Sequence, residues 1–165
     1  MSGWNPDAWQ ELIARHAPAL VMYAAQWSPD PEDVVQEAFV ELFREAEAPD
    51  SVAGWLFAVV RNKSVSSLRA ATRRRNHERG RAGLAREWFV ESPGDSLDAE
   101  EAARWVDELV GELREIVVAR VWGELTFEQI AELTGSSQST CHRRYREALE
   151  ILRTRSGVSC PNTNS

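Results

Sequence analysis

The sequence has few of the residues from which enzymes and metalloproteins build their sites. Its 165 residues include two cysteines and three histidines, and none of them has the spacing of metal ligands. It shows neither a nucleophile–base pair nor a glycine-rich phosphate-binding loop. We therefore predict no catalytic residue, no metal site, no cofactor and no small-molecule substrate, and we expect that the protein is not an enzyme.

Long apolar runs are also absent. A membrane-spanning helix needs about 18 or more apolar residues in a row, and the sequence has no such run. Its start, MSGWNPDAWQ, lacks the basic and then apolar layout of a signal peptide. We therefore expect no contact with a membrane and a cytoplasmic location.

Strand-like alternation is missing as well, and apolar residues recur at helical spacing instead. The sequence thus predicts an all-α fold. Residues 79–97 hold three glycines and Pro93, with Trp88-Phe89-Val90 as their only apolar island, so this stretch is the predicted flexible linker. It separates two small helical domains, predicted at residues 1–78 and 98–155, and residues 156–165 are predicted to form a disordered tail.

Charge is divided unevenly along the chain. The formal net charge is −7, yet residues 1–60 carry −8, residues 61–86 carry +8, residues 87–132 carry −10 and residues 133–165 carry +3. Clustered positive charge on an acidic protein indicates a local nucleic-acid footprint and a separate acidic docking face. Solvated helix faces are the ordinary alternative for any one of these runs.

The stretch Thr126–Arg153 has the pattern of two helices joined by a tight turn. Gly135 supplies the permissive backbone that a sharp corner needs, and Ser136 and Ser137 can cap the second helix. Both helices have an apolar face, which in the second comprises Cys141, Tyr145, Ala148, Leu149 and Leu152. This arrangement predicts a helix-turn-helix.

The outer face of the second helix is polar and cationic. It carries Gln138, Ser139, His142, Arg143 and Arg146, which are side chains that contact phosphates and base edges. DNA binding is therefore the favoured interpretation. A helical hairpin with a polar outer face is the alternative.

The first half of the chain predicts three helices. The first runs from Trp4 to Trp27, and Pro18 is expected to break or kink it. The second starts at Pro31 or Glu32 and has a strongly acidic outer face.

The third predicted helix begins after Ser51, a plausible N-cap. No glycine or proline interrupts it between Trp55 and His77, and it turns basic from Arg61 onward. A helix that changes from core-forming to cationic along its length suggests that one end packs while the other meets a polyanion.

Three segments resemble, in family order, the bacterial RNA polymerase sigma factors of the sigma-70 family, in their small extracytoplasmic-function (ECF) group. DPEDVVQEAFVELF (Asp30–Phe43) is similar to the segment that docks on the clamp helices of the polymerase beta-prime subunit. AGWLFAVVRNKSVSSLR (Ala53–Arg69) is similar to the segment that melts and reads the minus-ten promoter element. Ser137, Thr140 and Arg144 match the SxxTxxxR pattern of the reader of the minus-thirty-five element.

The resemblance implies a role for each matching residue. Polymerase docking is expected of Asp33, Gln36, Glu37 and Phe39. Contact with the minus-ten element is expected of Trp55, Phe57, Arg61, Asn62, Lys63, Ser66, Arg69, Arg73 and Arg74. Contact with the minus-thirty-five element is expected of Ser137, Gln138, Ser139, Thr140, His142, Arg143, Arg144 and Arg146. Asn62 is the first choice for a contact with a base flipped out of the non-template strand, because an amide can pair with a base edge.

The implied fold is a region 2-like helical bundle at residues 1–78 and a region 4-like helix-turn-helix domain at residues 98–155. The implied function is to bind core RNA polymerase and direct promoter-specific transcription initiation. The implied partners are core polymerase, through its beta-prime clamp helices and beta flap, and promoter DNA. An anti-sigma factor is a further partner that the resemblance allows.

Four positions depart from the family pattern, namely Ser66, Ser136, His142 and Arg143, and these affect the promoter sequence rather than the class of protein. Two other functions stay open. A stand-alone helix-turn-helix regulator would leave the acidic second helix and the cationic third helix unexplained. A degenerate sigma-like interaction protein would not need the intact basic part of the third helix.

Overall fold

The computed structural model describes residues 5–77 and 97–156. Its helices are α1 (Pro6–Ala24), α2 (Pro31–Arg44), α3 (Val52–His77), α4 (Leu97–Asp107), α5 (Glu112–Val117), a π-helical segment (Val118–Trp122), α6 (Phe127–Thr134) and α7 (Gln138–Ser156). The described residues include no strand, so the all-α prediction is confirmed.

The chain divides into two compact units, Met1–Gly94 and Asp95–Ser165. The division falls within the predicted linker, whose exact limits stay a prediction. The apolar island Trp88-Phe89-Val90 and most of the predicted tail lie outside the described residues.

In the first unit, α1, α2 and α3 pack against one another. Leu20, Tyr23, Leu42, Leu56 and Phe57 are completely buried between them. Burying one large apolar side chain stabilises a fold by about 1.5–3 kcal/mol, so these residues hold the three helices together.

Of the break or kink expected at Pro18, the break is wrong, because α1 continues through Pro18 to Ala24. A proline inside a helix costs about 3 kcal/mol through its missing hydrogen bond and its ring. The residues that follow it in α1, Ala19, Leu20 and Tyr23 among them, are buried in the unit's core. Their burial offsets the cost and keeps the helix in one piece.

The predicted beginnings of α2 and α3 are confirmed. Pro31 is the first residue of α2, where its missing N–H is not needed. Before α3, the Gly54 N–H donates to Ser51 Oγ at 3.1 Å, which is an N-cap hydrogen bond. The helix then runs unbroken for 26 residues, and its exposed residues between positions 69 and 75 are Arg69, Thr72, Arg73, Arg74 and Arg75.

The second unit is built around the segment that follows α4. Ile116, Val117, Val118 and Ala119 are buried in succession, together with Ile130 of α6 and Cys141 and Ala148 of α7. Apolar residues recur at helical spacing from Glu112 to Trp122, but the structure widens the second half of this stretch into a π-helical turn. The Gly123 N–H accordingly donates to the Val118 carbonyl, five residues back, at 3.0 Å.

Gly123 is the C-cap of this segment, and its φ is −81°. The residue with positive φ is the next one, Glu124, at 55°.

The predicted helix-turn-helix is confirmed. A capping box opens α6, in which the Gln129 N–H donates to Thr126 Oγ1 at 3.2 Å and the Thr126 N–H donates to Gln129 Oε1 at 2.9 Å. Gly135 makes the turn with a φ of +68°, a conformation that costs glycine little. The Ser137 hydroxyl accepts from the Thr140 N–H at 3.2 Å and so caps α7.

Candidate nucleic-acid interface

The outer face of α7 is an open surface lined by Ser139, His142, Arg143, Arg146, Glu147 and Glu150. The His142 ring stacks on Phe127 of α6, with centroids 3.7 Å apart. The Arg120 guanidinium also lies 4.8 Å from the centroid of that Phe127 ring. The ring stacking thus links α7 to α6, and the Arg120 contact links α6 to the π-helical segment.

Three of the predicted minus-thirty-five residues make contacts within the domain. The Ser137 hydroxyl donates to Thr140 Oγ1 at 2.9 Å in addition to its capping role. Arg144 pairs with Glu112 of α5 at 2.6 Å. Thr140 and Arg144 are half-buried, whereas the exposed residues of this set are Ser137, Gln138, Ser139, His142, Arg143 and Arg146.

A second polar surface lies in the first unit, where α3 runs beside α2. Asn62 and Ser66 are exposed and line an open cleft of about 420 Å³ together with Asp30, Asp33 and Glu37. The cleft thus brings together the residue predicted to contact a base and acids of α2.

Lys63, the only lysine in the sequence, does not extend freely from this surface. Its Nζ lies 3.0 Å from Glu37 Oε2 and 2.7 Å from Glu41 Oε1. The hydrogen bonds to Glu41 and then Glu37 raise the pKa of Lys63 above its ordinary value of 10.5. A predicted DNA contact and a predicted docking residue therefore pair with each other.

The cationic second half of α3 is exposed at Arg69, Arg73 and Arg74. Arg73 also donates from Nε to the Arg69 carbonyl, at 3.4 Å. Arg61 is half-buried, and its guanidinium lies 6.0 Å from the Trp27 ring centroid. Arg69 and Arg73 lie about one turn apart and Arg74 follows directly, so the three exposed arginines concentrate positive charge on this part of α3.

The structure corrects the role predicted for Phe57 and qualifies that of Trp55. Phe57 is completely buried and packs against Tyr23, with ring centroids 4.8 Å apart, so it cannot reach DNA. It lies one residue after Leu56 and three before Val60, on the face of α3 that forms the core. Trp55 is half-buried.

Phe39 needs the same correction. Three predicted docking residues, Asp33, Gln36 and Glu37, are exposed, but Phe39 is 6% exposed and packs edge-to-face against Trp9. It cannot anchor a partner, because it belongs to the core of the first unit.

The sequence interpretation missed two exposed apolar residues on α2. Val40 is 48% exposed and Phe43 is 50% exposed. Val40 lies four residues after Gln36 and three after Glu37, and these spacings place residues on one helix face. This spacing could have indicated from the sequence that Val40 lies beside the docking residues. For Phe43 the sequence indicates the opposite, because the helical spacing of apolar residues groups it with the core residues of α2.

Residues 12–74 match the model of Sigma-70 region 2, and residues 105–154 match the model of Sigma-70, region 4. The chain belongs to the sigma-70 family. With these two regions and the relatives below, it is a sigma factor of the ECF group. It directs transcription initiation and is not an enzyme.

Two curated relatives support this assignment. The sigma factor is 24% identical over 127 residues to RNA polymerase sigma factor SigV of Bacillus subtilis (strain 168), which covers 75% of this chain and 74% of SigV. It is 26% identical over 130 residues to ECF RNA polymerase sigma factor SigK of Mycobacterium ulcerans (strain Agy99), covering 74% of this chain and 70% of SigK.

Two solved structures share the fold of the sigma factor. One is sigma factor RpoE from Bartonella quintana, which was crystallised with the anti-sigma factor NepR. It has a TM-score of 0.73 and 21% sequence identity to this chain, and the match covers 92% of this chain and 98% of the RpoE chain. The other is CnrH, whose structure was solved in complex with the cytosolic domain of CnrY. It has a TM-score of 0.56 and 24% sequence identity to this chain, and the match covers 94% of this chain and 92% of the CnrH chain.

Within residues 5–77 and 97–156, the sigma factor has no helix long and apolar enough to cross a membrane. The same residues contain no group of three or more histidine, cysteine, aspartate or glutamate side chains that could hold a metal ion.

Proposed function

We propose that this sigma factor docks on core RNA polymerase through α2, opens and reads the minus-ten element with α3, and holds the minus-thirty-five element with α7. One observation carries the proposal. The exposed face of α2 is acidic, while the second half of α3 and the outer face of α7 expose arginines. A protein that bridges a basic protein surface and DNA needs surfaces of both signs.

The docking surface on α2 combines charge with apolar area. Asp33, Gln36 and Glu37 are exposed, and carboxylates there would steer the chain towards basic helices such as the beta-prime clamp helices. Val40 and Phe43 extend the same surface with apolar side chains that are half exposed. In protein interfaces, an aromatic anchor commonly carries more binding energy than the charges at the rim.

The cleft beside α3 is the proposed site for a flipped base of the minus-ten element. Unstacking a base costs a few kcal/mol, so protein contacts must offset it. The Asn62 amide offers both a donor and an acceptor to a base edge, and Ser66 adds a hydroxyl. Arg69, Arg73 and Arg74 would follow the phosphates of the separated strand.

The outer face of α7 is the proposed reader of the minus-thirty-five element. Ser139, His142, Arg143 and Arg146 are exposed together on it. Recognition helices of this motif contact base edges with residues near their N-terminus. Glu147 and Glu150 follow on the same surface and would repel phosphates, so the contact surface ends near Arg146.

An anti-sigma factor and a cytoplasmic location complete the proposal. RpoE was crystallised with an anti-sigma factor and CnrH with a cytosolic domain, and both share this fold. Core polymerase and promoter DNA, the partners proposed above, are found in the cytoplasm. We also propose that the second unit of the sigma factor contacts core polymerase at its beta flap.

Reconstitution with core polymerase tests the proposed function. The purified chain should co-purify with core polymerase and direct specific start sites on a promoter library, as read by sequencing the transcripts. Failure of both would refute it. Binding to duplex DNA without any start site would favour a stand-alone regulator instead.

A further inference from the structure

Arg144 of α7 is held by groups on two other parts of the second unit. Its Nη1 lies 2.6 Å from Glu112 Oε2, at the first residue of α5. The same nitrogen lies 3.4 Å from Ser136 Oγ, in the turn between α6 and α7. The Arg144 side chain is 26% exposed, in contrast to the exposed side chains of Arg143 and Arg146.

The position of Arg144 on the helix agrees with these contacts. It lies three residues after Cys141 and four before Ala148, which are both completely buried. Residues with this spacing share one side of a helix. The open outer surface of α7 is lined by residues before and after Arg144 but not by Arg144 itself.

The turn that Arg144 contacts sets the direction in which α7 leaves α6. Its backbone is fixed at Gly135 by the positive φ and at Ser136 by the N–H that donates to the Ala131 carbonyl at 3.1 Å. Arg144 adds the link from this turn to α5, which supplies part of the domain's core. A change in that link would tilt the outer face of α7 relative to DNA.

We propose that Glu112 and Arg144 are positioning residues for promoter recognition: their ion pair orients α7 through the turn, and Arg144 makes no contact with DNA. This rests on the proposed reading of the minus-thirty-five element by α7. It assigns Arg144 and Glu112 one shared role and leaves Arg143 and Arg146 as the phosphate and base contacts.

A charge swap separates a positioning role from a DNA contact. Glu112→Arg alone and Arg144→Glu alone each place like charges together, and each should lower the affinity for duplex DNA about fivefold or more, the equivalent of the ~1 kcal/mol expected of one partly exposed ion pair. The double variant restores an ion pair and keeps the net charge. It should recover most of the wild-type affinity, because the restored pair returns α7 to its orientation.

The probe is a fluorescent duplex recovered from a randomised library by the wild-type full-length chain, and affinity is read by anisotropy over a range of salt concentrations. Arg144→Gln and Glu112→Gln repeat the test with smaller changes, in case a charge reversal prevents folding, which thermal unfolding would show. Glu108→Gln is the matched control. It removes the ion pair between Glu108 and Arg155, at the far end of α7, and should leave DNA affinity unchanged.

The salt dependence of DNA affinity distinguishes a phosphate contact from a positioning role, because only the loss of a phosphate contact changes its slope. Arg143→Ala and Arg146→Ala should each lower the log–log salt slope by roughly 0.9, the value for one phosphate contact in duplex DNA. Arg144→Gln should weaken binding and leave that slope unchanged.

Each other outcome overturns the inference. A lower salt slope for Arg144→Gln, together with weak DNA binding by the charge-swap double variant, would show that Arg144 contacts a phosphate. The proposed reading of the minus-thirty-five element by α7 would still hold in that case. Wild-type affinity in Arg144→Gln would show that the ion pair does not orient α7. Unchanged affinity in Arg143→Ala and Arg146→Ala would refute the reading of DNA by α7 itself.

Discussion

At the scale of the residue, Phe43 is the largest exposed apolar side chain on α2. Half of it is accessible, and its ring packs edge-to-face against Trp9 with centroids 5.3 Å apart. That contact holds the ring in place, so little side-chain freedom would be lost when a partner covers it. A pre-ordered aromatic beside three polar docking residues has the character of an interface anchor.

Phe43→Ser should therefore weaken binding to core polymerase by about tenfold or more, since truncating an aromatic anchor commonly costs ~2 kcal/mol. Binding is measured by competition with a labelled wild-type chain. Phe43→Leu is the control, because it keeps apolar area and should keep most of the affinity. Full affinity in Phe43→Ser would place the docking surface elsewhere.

Asn62 and Phe57 lie five residues apart on α3, but Asn62 is exposed and Phe57 is completely buried. Phe57→Ala should destabilise the first unit by about 3–5 kcal/mol, because a completely buried ring is removed.

Asn62→Ala removes an exposed side chain and should change stability by less than about 0.5 kcal/mol. It should nevertheless reduce promoter opening, measured with permanganate footprinting of the holoenzyme. Normal opening in Asn62→Ala would contradict the proposed base contact.

At the scale of the element, Lys63 joins α2 to α3. Its amine contacts two carboxylates that lie one helical turn apart, at Glu37 and Glu41. The side chains are 26%, 57% and 45% exposed, so solvent screens the pairs and each contributes about 0–1 kcal/mol. The link is a modest addition to the apolar packing of the same two helices.

The raised pKa of Lys63 gives this link a pH dependence. A pKa that is higher in the folded state than in the unfolded state stabilises the fold fully below the unfolded value, near 10.5, and the contribution is lost as the pH rises through the folded pKa. Thermal unfolding should show Lys63→Met to be less stable than the wild-type protein at neutral pH and low salt. The difference should disappear above pH 10.5, once the folded pKa is passed, and at high salt.

Lys63→Met leaves every other ionisable side chain of the protein in place. The comparison thus isolates the single lysine. A stability difference that persists in strongly alkaline solution would show that Lys63 acts through its alkyl chain.

At the scale of the whole molecule, the positive charge that would meet DNA is divided between two units. Residues 61–86 carry +8 and residues 133–165 carry +3. The α3 arginines would follow a separated strand, and the α7 arginines would contact a duplex. Single strands and duplexes differ in the number of counterions released for each phosphate that a protein neutralises.

Replacing Arg69, Arg73 and Arg74 with alanine should lower the log–log salt slope of holoenzyme binding to single-stranded minus-ten DNA by roughly 0.7 for each phosphate that is no longer neutralised. The same triple variant should leave binding of the free chain to the minus-thirty-five duplex unchanged. Weaker binding to the duplex instead would assign α3 to a different part of the promoter.

The sequence by itself determined the all-α class, the beginnings of α2 and α3, the helix-turn-helix, the two-part organisation and the family. These features depend on local information: proline at the start of α2, Ser51 and Thr126 as caps, Gly135 in the turn, and the spacing of apolar residues. Family motifs are local as well, so they could be found in the right order without knowledge of packing.

Only the tertiary structure decided which side chains of each motif are free to bind. A motif gives residue types and spacing, while burial depends on the neighbouring helix. That is why Phe39 and Phe57 proved to be core residues, and why the exposure of Phe43 could not be predicted. Ion pairs between helices, such as Lys63 with Glu37 and Arg144 with Glu112, join residues far apart in the chain, and only folding brings them together.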